Sequence, residues 1–77
     1  DILGKADIDE INKSIGANFK ESVDYDTISG MILKKTGTIP VKGKKVRFGD
    51  YVLEVKEVES NRIIKVRIGK QPLKKKR

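Results

Sequence analysis

Apolar residues keep two different rhythms along this chain, and the change comes at Pro40. Before it they recur at helical spacing; after it they alternate. In residues 25–40, YDTISGMILKKTGTIP, the side chains of Ile28, Met31 and Ile32 stand at i, i+3 and i+4 and share one helix face. Asp26 or Thr27 can cap this helix by accepting hydrogen bonds from its first free backbone N–H groups. Lys34 and Lys35 fall in the last turn, where positive charge suits the carbonyl end of the helix dipole. Gly37 is placed for a left-handed C′ conformation, and Pro40 forbids a return to helix. Gly30, inside the helix, costs about 1 kcal/mol relative to Ala. Either the helix tolerates it, or a neighbouring element passes too close for a Cβ; its place beside the apolar face favours the second.

Upstream, residues 1–6, DILGKA, read as the end of a short strand with a turn at Gly4. Asp7, with Glu10 three residues later, makes a capping-box pattern. Ile8, Ile11 and Ile15 share a face at i, i+3 and i+7, and Gly16 closes the helix, which the pattern places over residues 8–15. Two turns are marginal alone in water, so packing must hold this helix. Residues 17–24 form a connector whose anchors are Phe19 and Val23.

Beyond Pro40, Lys42-Gly43 makes a turn, and Val46 and Phe48 alternate with Lys45 and Arg47 as in a half-buried strand. Gly49-Asp50 is a two-residue hairpin signal. The next strand puts Tyr51, Leu53 and Val55 on one face, and Val58 breaks that parity, which predicts a bulge or a strong twist near Lys56 and Glu57. Ser60-Asn61 is the second turn. Alternation then sends Ile64, Val66 and Ile68 to the core and Lys65 and Arg67 to water. Three antiparallel strands with one apolar face need a cover, and the two helices supply it. The expected fold is a two-layer α+β domain with the order β-α-α-β-β-β.

Composition narrows the chemistry. Seventy-seven residues make one domain, and 36% hydrophobic residues, with no Trp, two Phe and two Tyr, make a thin core. Without Cys there is no disulfide, thiolate nucleophile or Cys-based zinc site; without His the commonest general base and metal ligand are missing. No apolar run approaches the roughly 20 residues that cross a bilayer. The net charge of +7 is unevenly distributed. Residues 1–30 carry three Lys against seven Asp and Glu, and residues 31–69 carry ten Lys and Arg against four acids. Residues 70–77, KQPLKKKR, add five more cations and read as a basic tail beyond a domain of residues 1–69.

Few residues could carry a reaction. Glu21, Asp24 and Asp26 could attract a hard cation such as Mg²⁺. Their spacing matches no EF-hand loop, however, and a helix N-terminus favours acids without any metal, so no metal site is assigned. Nothing in the sequence marks a catalytic pair, and an enzyme is not expected. Gly4-Lys5, Gly43-Lys44-Lys45 and Gly69-Lys70 lack the spacing of a phosphate-binding loop and read as turns. Lys74, Lys75, Lys76 and Arg77 have three readings: a solvated end, a contact with anionic lipid headgroups, or a contact with nucleic acid. The last is the weakest, because single-strand platforms want stacked aromatics beside the charge.

Taken together, the order of these features resembles the transporter-associated CorC/HlyC domain. The segments are IDEIN with Gly16, YDTISGMILKKTGTIP, the V-x-F-G-D-Y-x-L-E-V hairpin and NRIIKVRI. In the family a D-L-N-type helix precedes a Y-D-T-x-x-G segment and a G-x-I-P turn. These match Asp9-Glu10-Ile11-Asn12, then Tyr25-Asp26-Thr27 with Gly30, then Gly37, Ile39 and Pro40, while Arg62, Ile63, Val66 and Ile68 match the closing R-I-x-x-V-x-I. The likeness covers nearly all of residues 1–69, leaves the tail outside and makes the first strand look clipped. It implies a cytosolic, non-catalytic module of an inner or plasma membrane protein concerned with magnesium or cobalt efflux, or named as a haemolysin. Its partners would be the CBS domains and transmembrane region of the same chain, or a second copy of itself. The alternative is a sensing module for FAD, nucleotide or divalent metal. FAD enters only through the fold's kinship with part of FAD-binding domains, since no Gly-rich diphosphate loop is present.

Overall fold

The break at Pro40 separates both helices from three of the four strands. The computed structural model describes residues 1–72, so the cations at 74–77 lie outside the described residues. Its elements are β1 (Ile2–Leu3), α1 (Ile8–Ile15), α2 (Ile28–Thr36), β2 (Lys45–Phe48), β3 (Tyr51–Glu59) and β4 (Arg62–Lys70). The strands form one antiparallel sheet in the order β1-β4-β3-β2, which gives the expected α+β architecture. β1 pairs with the last strand, Ile2 opposite Val66, a long-range contact that local periodicity does not reveal. β4 continues through Lys70, and Gln71 donates its N–H to the Asp50 carbonyl at 2.7 Å, two residues into the stretch read above as tail.

The core lies between the helices and one face of the sheet. Ile28, Met31 and Ile32 of α2 are all buried, as their spacing predicts, and meet Leu53, Val55 and Val66 from the sheet. α2 accounts for every N–H of its first turn. Ile28 donates to the Ala6 carbonyl (3.0 Å), Ser29 to Gly4 (2.9 Å) and Gly30 to the Thr27 hydroxyl (3.1 Å). Thr27, rather than Asp26, is therefore the cap. Gly37 takes the left-handed conformation at φ 84° and returns its N–H to the Leu33 carbonyl at 2.8 Å. A Cβ on Gly30 would stand 2.9 Å from the Tyr25 Cβ, so the close approach comes from the turn that enters the helix.

α1 departs from expectation in two respects. Asp7 occupies the cap position with extended backbone, but its side chain makes no capping bond, so the Asp7–Glu10 box does not form. The backbone explains this. Asp7 bridges Thr27, and the Ile8 N–H donates to the Asp26 carbonyl at 2.9 Å. The two helices thus start side by side, each supplying a carbonyl to the other's first N–H. Ile15 is 44% exposed, because the apolar stripe of so short a helix ends at Ile11. The next anchor is Phe19, which is buried and clamped by Asn12: Nδ2 donates to the Phe19 carbonyl and Oδ1 accepts its N–H, both at 2.9 Å. Val23 is not an anchor. It stands fully exposed at the tip of a turn closed by the Ser22–Tyr25 bridge.

In the sheet, Gly49 takes positive φ at the first central position of the β2–β3 hairpin, and both Ser60 and Asn61 do so in the β3–β4 turn, the requirement of a type I′ turn. The expected bulge is present: Val55 pairs with Val66, Glu57 with Lys65 and Val58 with Ile63. The register slips on both strands, passing over Lys56 on β3 and Ile64 on β4. Ile63 is consequently the buried residue and Ile64 only half-buried, which corrects the alternation that sent Ile64 to the core.

Candidate functional site

Three hollows of different chemistry open on the surface. The first is acidic, about 290 Å³, and lined by Asp7, Ile8, Asp9, Glu21, Ser22, Tyr25 and Asp26. It exists because the reciprocal pairing of residues 7–8 with residues 26–27 sets the starts of α1 and α2 together. Asp9 and Glu10 stand in the first turn of α1, where the helix dipole favours acids without any metal, whereas the first turn of α2 carries none and Asp26 precedes its cap. The Glu21/Asp24/Asp26 cluster read from the sequence is thereby divided. Glu21 and Asp26 line the hollow, whereas Asp24 pairs with Lys34 at 3.2 Å. Asp7 and Asp9 take its place. Among the described residues, no three Asp or Glu side chains come close enough together to hold a metal ion.

The second hollow is apolar, about 530 Å³, and lies between β1, the start of α2 and the β3–β4 turn. Leu3, Leu33, Ile39, Ile63 and Ile64 line it together with Gly4. Gly4 and Lys5 make the expected turn, closed by the Ala6 N–H on the Leu3 carbonyl at 3.1 Å, but Gly4 is not solvated. It donates to the Ile64 carbonyl at 2.8 Å, accepts from Ser29, and is buried against β4. Gly69-Lys70 is no turn but part of β4, while Gly43 does make the expected turn at φ 94°.

The third hollow is basic, about 570 Å³, between the end of α2 and β2. Lys35, Lys44, Lys45 and Arg47 line it around Ile39, Pro40, Val41 and Val46. Composition alone could not locate it, because its cations come from three separate elements.

The polar side chains of these three hollows are all solvated. Among the described residues no polar or charged residue is buried, and no buried side-chain polar atom lacks a partner. FAD would need a donor-rich loop for its diphosphate and a flat apolar slot for its rings. The acidic hollow repels a diphosphate and so does not fit FAD, and Phe19 packs against the partly buried Phe48 (6.3 Å) and Tyr51 (5.2 Å).

Known proteins share this architecture. The chain is 37% identical over 67 residues to the UPF0053 inner membrane protein YfjD of Escherichia coli K12, covering 87% of this chain and 15% of that protein. It is 30% identical over 63 residues to the magnesium and cobalt efflux protein CorC of the same organism, covering 82% and 21%. The transporter associated domain CorC_HlyC from a Xylella fastidiosa Temecula1 hemolysin, solved in complex with Mg²⁺ and Mn²⁺, superposes with a TM-score of 0.79 at 26% identity, covering 90% of this chain and 82% of that one. The chain spans between 12% and 21% of the length of the curated relatives it matches. The family model for the CorC_HlyC transporter associated domain matches residues 1–72, and the chain belongs to that family.

Proposed function

We propose that this domain is a non-catalytic regulatory and interaction module on the cytosolic side of a larger membrane protein concerned with magnesium or cobalt efflux. One observation carries the reading: 82% of this chain matches a stretch that covers only 21% of the efflux protein CorC. Support for a non-catalytic role comes from the polar side chains, which serve as caps, clamps and ion pairs. None of them is desolvated as an acid–base or nucleophilic group would be. Among the described residues no helix is long and apolar enough to cross a membrane. The partners on this reading are the CBS domains and transmembrane region of the same chain, with a second copy as the alternative. The test is Co²⁺ efflux from cells that express the parent protein with and without this domain. Deletion is expected to change efflux while the remainder still reaches the membrane. Unchanged efflux, together with no binding of the free domain to the remainder, refutes the proposal.

A second reading, divalent cation binding, is favoured by the Mg²⁺ and Mn²⁺ complex of the Xylella relative and by the acidic hollow. With no three-carboxylate cluster among the described residues, an ion there would keep much of its water and take one or two carboxylates, a common arrangement for Mg²⁺. Titration with millimolar Mg²⁺ should then shift the amide resonances of Asp7, Asp9, Glu21 and Asp26. A titration that moves none of them removes this reading.

A further inference from the structure

We infer that the α2–β2 loop and the basic hollow beside it form a contact surface for an anionic phospholipid bilayer. Val41 sits on this loop 75% exposed, an apolar side chain presented to the outside. Lys35, Lys44, Lys45 and Arg47 line the same hollow with it, and no acid does. Lys42 adds a further charge next to Val41 in the chain. Among the described residues Lys42, Lys44 and Lys45 make no ion pair. The nearest candidate partner, Glu54, stands opposite Lys45 across the β2–β3 pairing but binds Lys56 at 3.7 Å.

The loop is also held in shape. Lys44 donates to the Val41 carbonyl at 3.1 Å, while the Gly43 N–H and Lys44 carbonyl bond Val55 at 2.7 and 2.9 Å, extending the sheet to the base of the turn. Lys35 lies over the Phe48 ring at 5.5 Å, and Arg47 is fixed by the Gly49 and Gln71 carbonyls. The loop backbone, Lys35 and Arg47 are therefore ordered before any contact is made.

A bilayer meets both features at once. Headgroup phosphates take the lysines, and the interfacial zone takes the valine. A free anion would leave Val41 in water. A second copy would match these cations with its acidic hollow, whose lining is mostly polar, with Ile8 buried and Tyr25 partly so. The loop cations are predicted to act without those at 74–77.

The experiment is co-sedimentation with vesicles of phosphatidylglycerol and phosphatidylcholine in equal parts, using the whole chain at low salt. The comparisons are K42Q/K44Q/K45Q, V41S, K74Q/K75Q/K76Q/R77Q, and vesicles of phosphatidylcholine alone. Each lysine near an anionic surface is worth roughly fivefold in partitioning, so the loop triple variant should bind on the order of 100-fold more weakly. V41S should weaken binding, the tail variant should keep the lysine dependence of the loop, and neutral vesicles should bind little. Unfolding midpoints equal to that of the parent chain establish that the loop variants are folded. Binding undiminished in the loop triple variant, equal binding to neutral vesicles, or loss of all binding in the tail variant overturns the inference. So does lysine-dependent self-association that proceeds equally without vesicles.

Discussion

Gly4→Ala is expected to destabilise the domain by about 3 kcal/mol or more, the upper end of what overpacking costs. A Cβ built on Gly4 would collide with the carbonyl oxygen of Ile63 and stand 3.3 Å from the Ser29 Cβ. The first neighbour is backbone in a paired strand and cannot swing aside as a side chain can. Moving Gly4 away would break two hydrogen bonds, its N–H to Ile64 and its carbonyl from the Ser29 N–H. One of these attaches β1 to β4, and the other satisfies the first turn of α2. A domain of this size has only about 4–12 kcal/mol of stability to lose, so the variant should unfold at much lower urea than the parent. Gly16→Ala is the control. Gly16 has φ 70° but nothing within 4 Å of a Cβ, so only the left-handed backbone penalty of about 1–2 kcal/mol applies. Urea unfolding followed by circular dichroism should rank Gly4→Ala well below Gly16→Ala, and a Gly4→Ala midpoint equal to the parent's would contradict the packing described.

Gly4 also marks where the sequence stops being readable. Both helices, their glycine stops, the three-strand meander and the bulge all follow from spacings of at most eight residues, and each was expected. What was not expected depends on contacts between distant segments. Gly4 looks like any turn glycine until β4, some 60 residues later, passes against it. Asp7 and Asp9 join Glu21 and Asp26 in one hollow only because residues 7 and 27 bridge. Asp24 leaves that group because Lys34 reaches it. Asn12 is a local exception: it clamps Phe19 from seven residues away, yet carries no sequence signal for it, since an asparagine in a helix is ordinarily a solvated polar residue. The basic hollow likewise depends on how α2, its following loop and β2 converge. Local rhythm determines the elements here, and the surfaces arise from their assembly.

Ile63→Ala is expected to cost about 3 kcal/mol, and Ile64→Ala about 1 kcal/mol, in the opposite order to simple strand alternation. Alternation from Val66 and Ile68 puts Ile64 on the core face and Ile63 outside. The paired irregularity reverses this. Between the Val55–Val66 and Val58–Ile63 pairs the ladder passes over one residue on each strand, so the parity of β4 changes between Lys65 and Ile63. Ile63 is left 4% exposed in the core cluster, while Ile64 is only partly covered. Truncating Ile63 therefore removes three carbons from a closed site and leaves a cavity, whereas truncating Ile64 uncovers surface that is already partly wet. The same slip lets Val58 pack against the core from the β3 side, which a regular ladder would not allow. Measured by urea unfolding, the two variants should differ by about 2 kcal/mol, a difference of roughly thirtyfold in the folding equilibrium. Equal costs, or a larger cost at Ile64, would mean that β4 alternates without a break and that the double slip does not exist in solution.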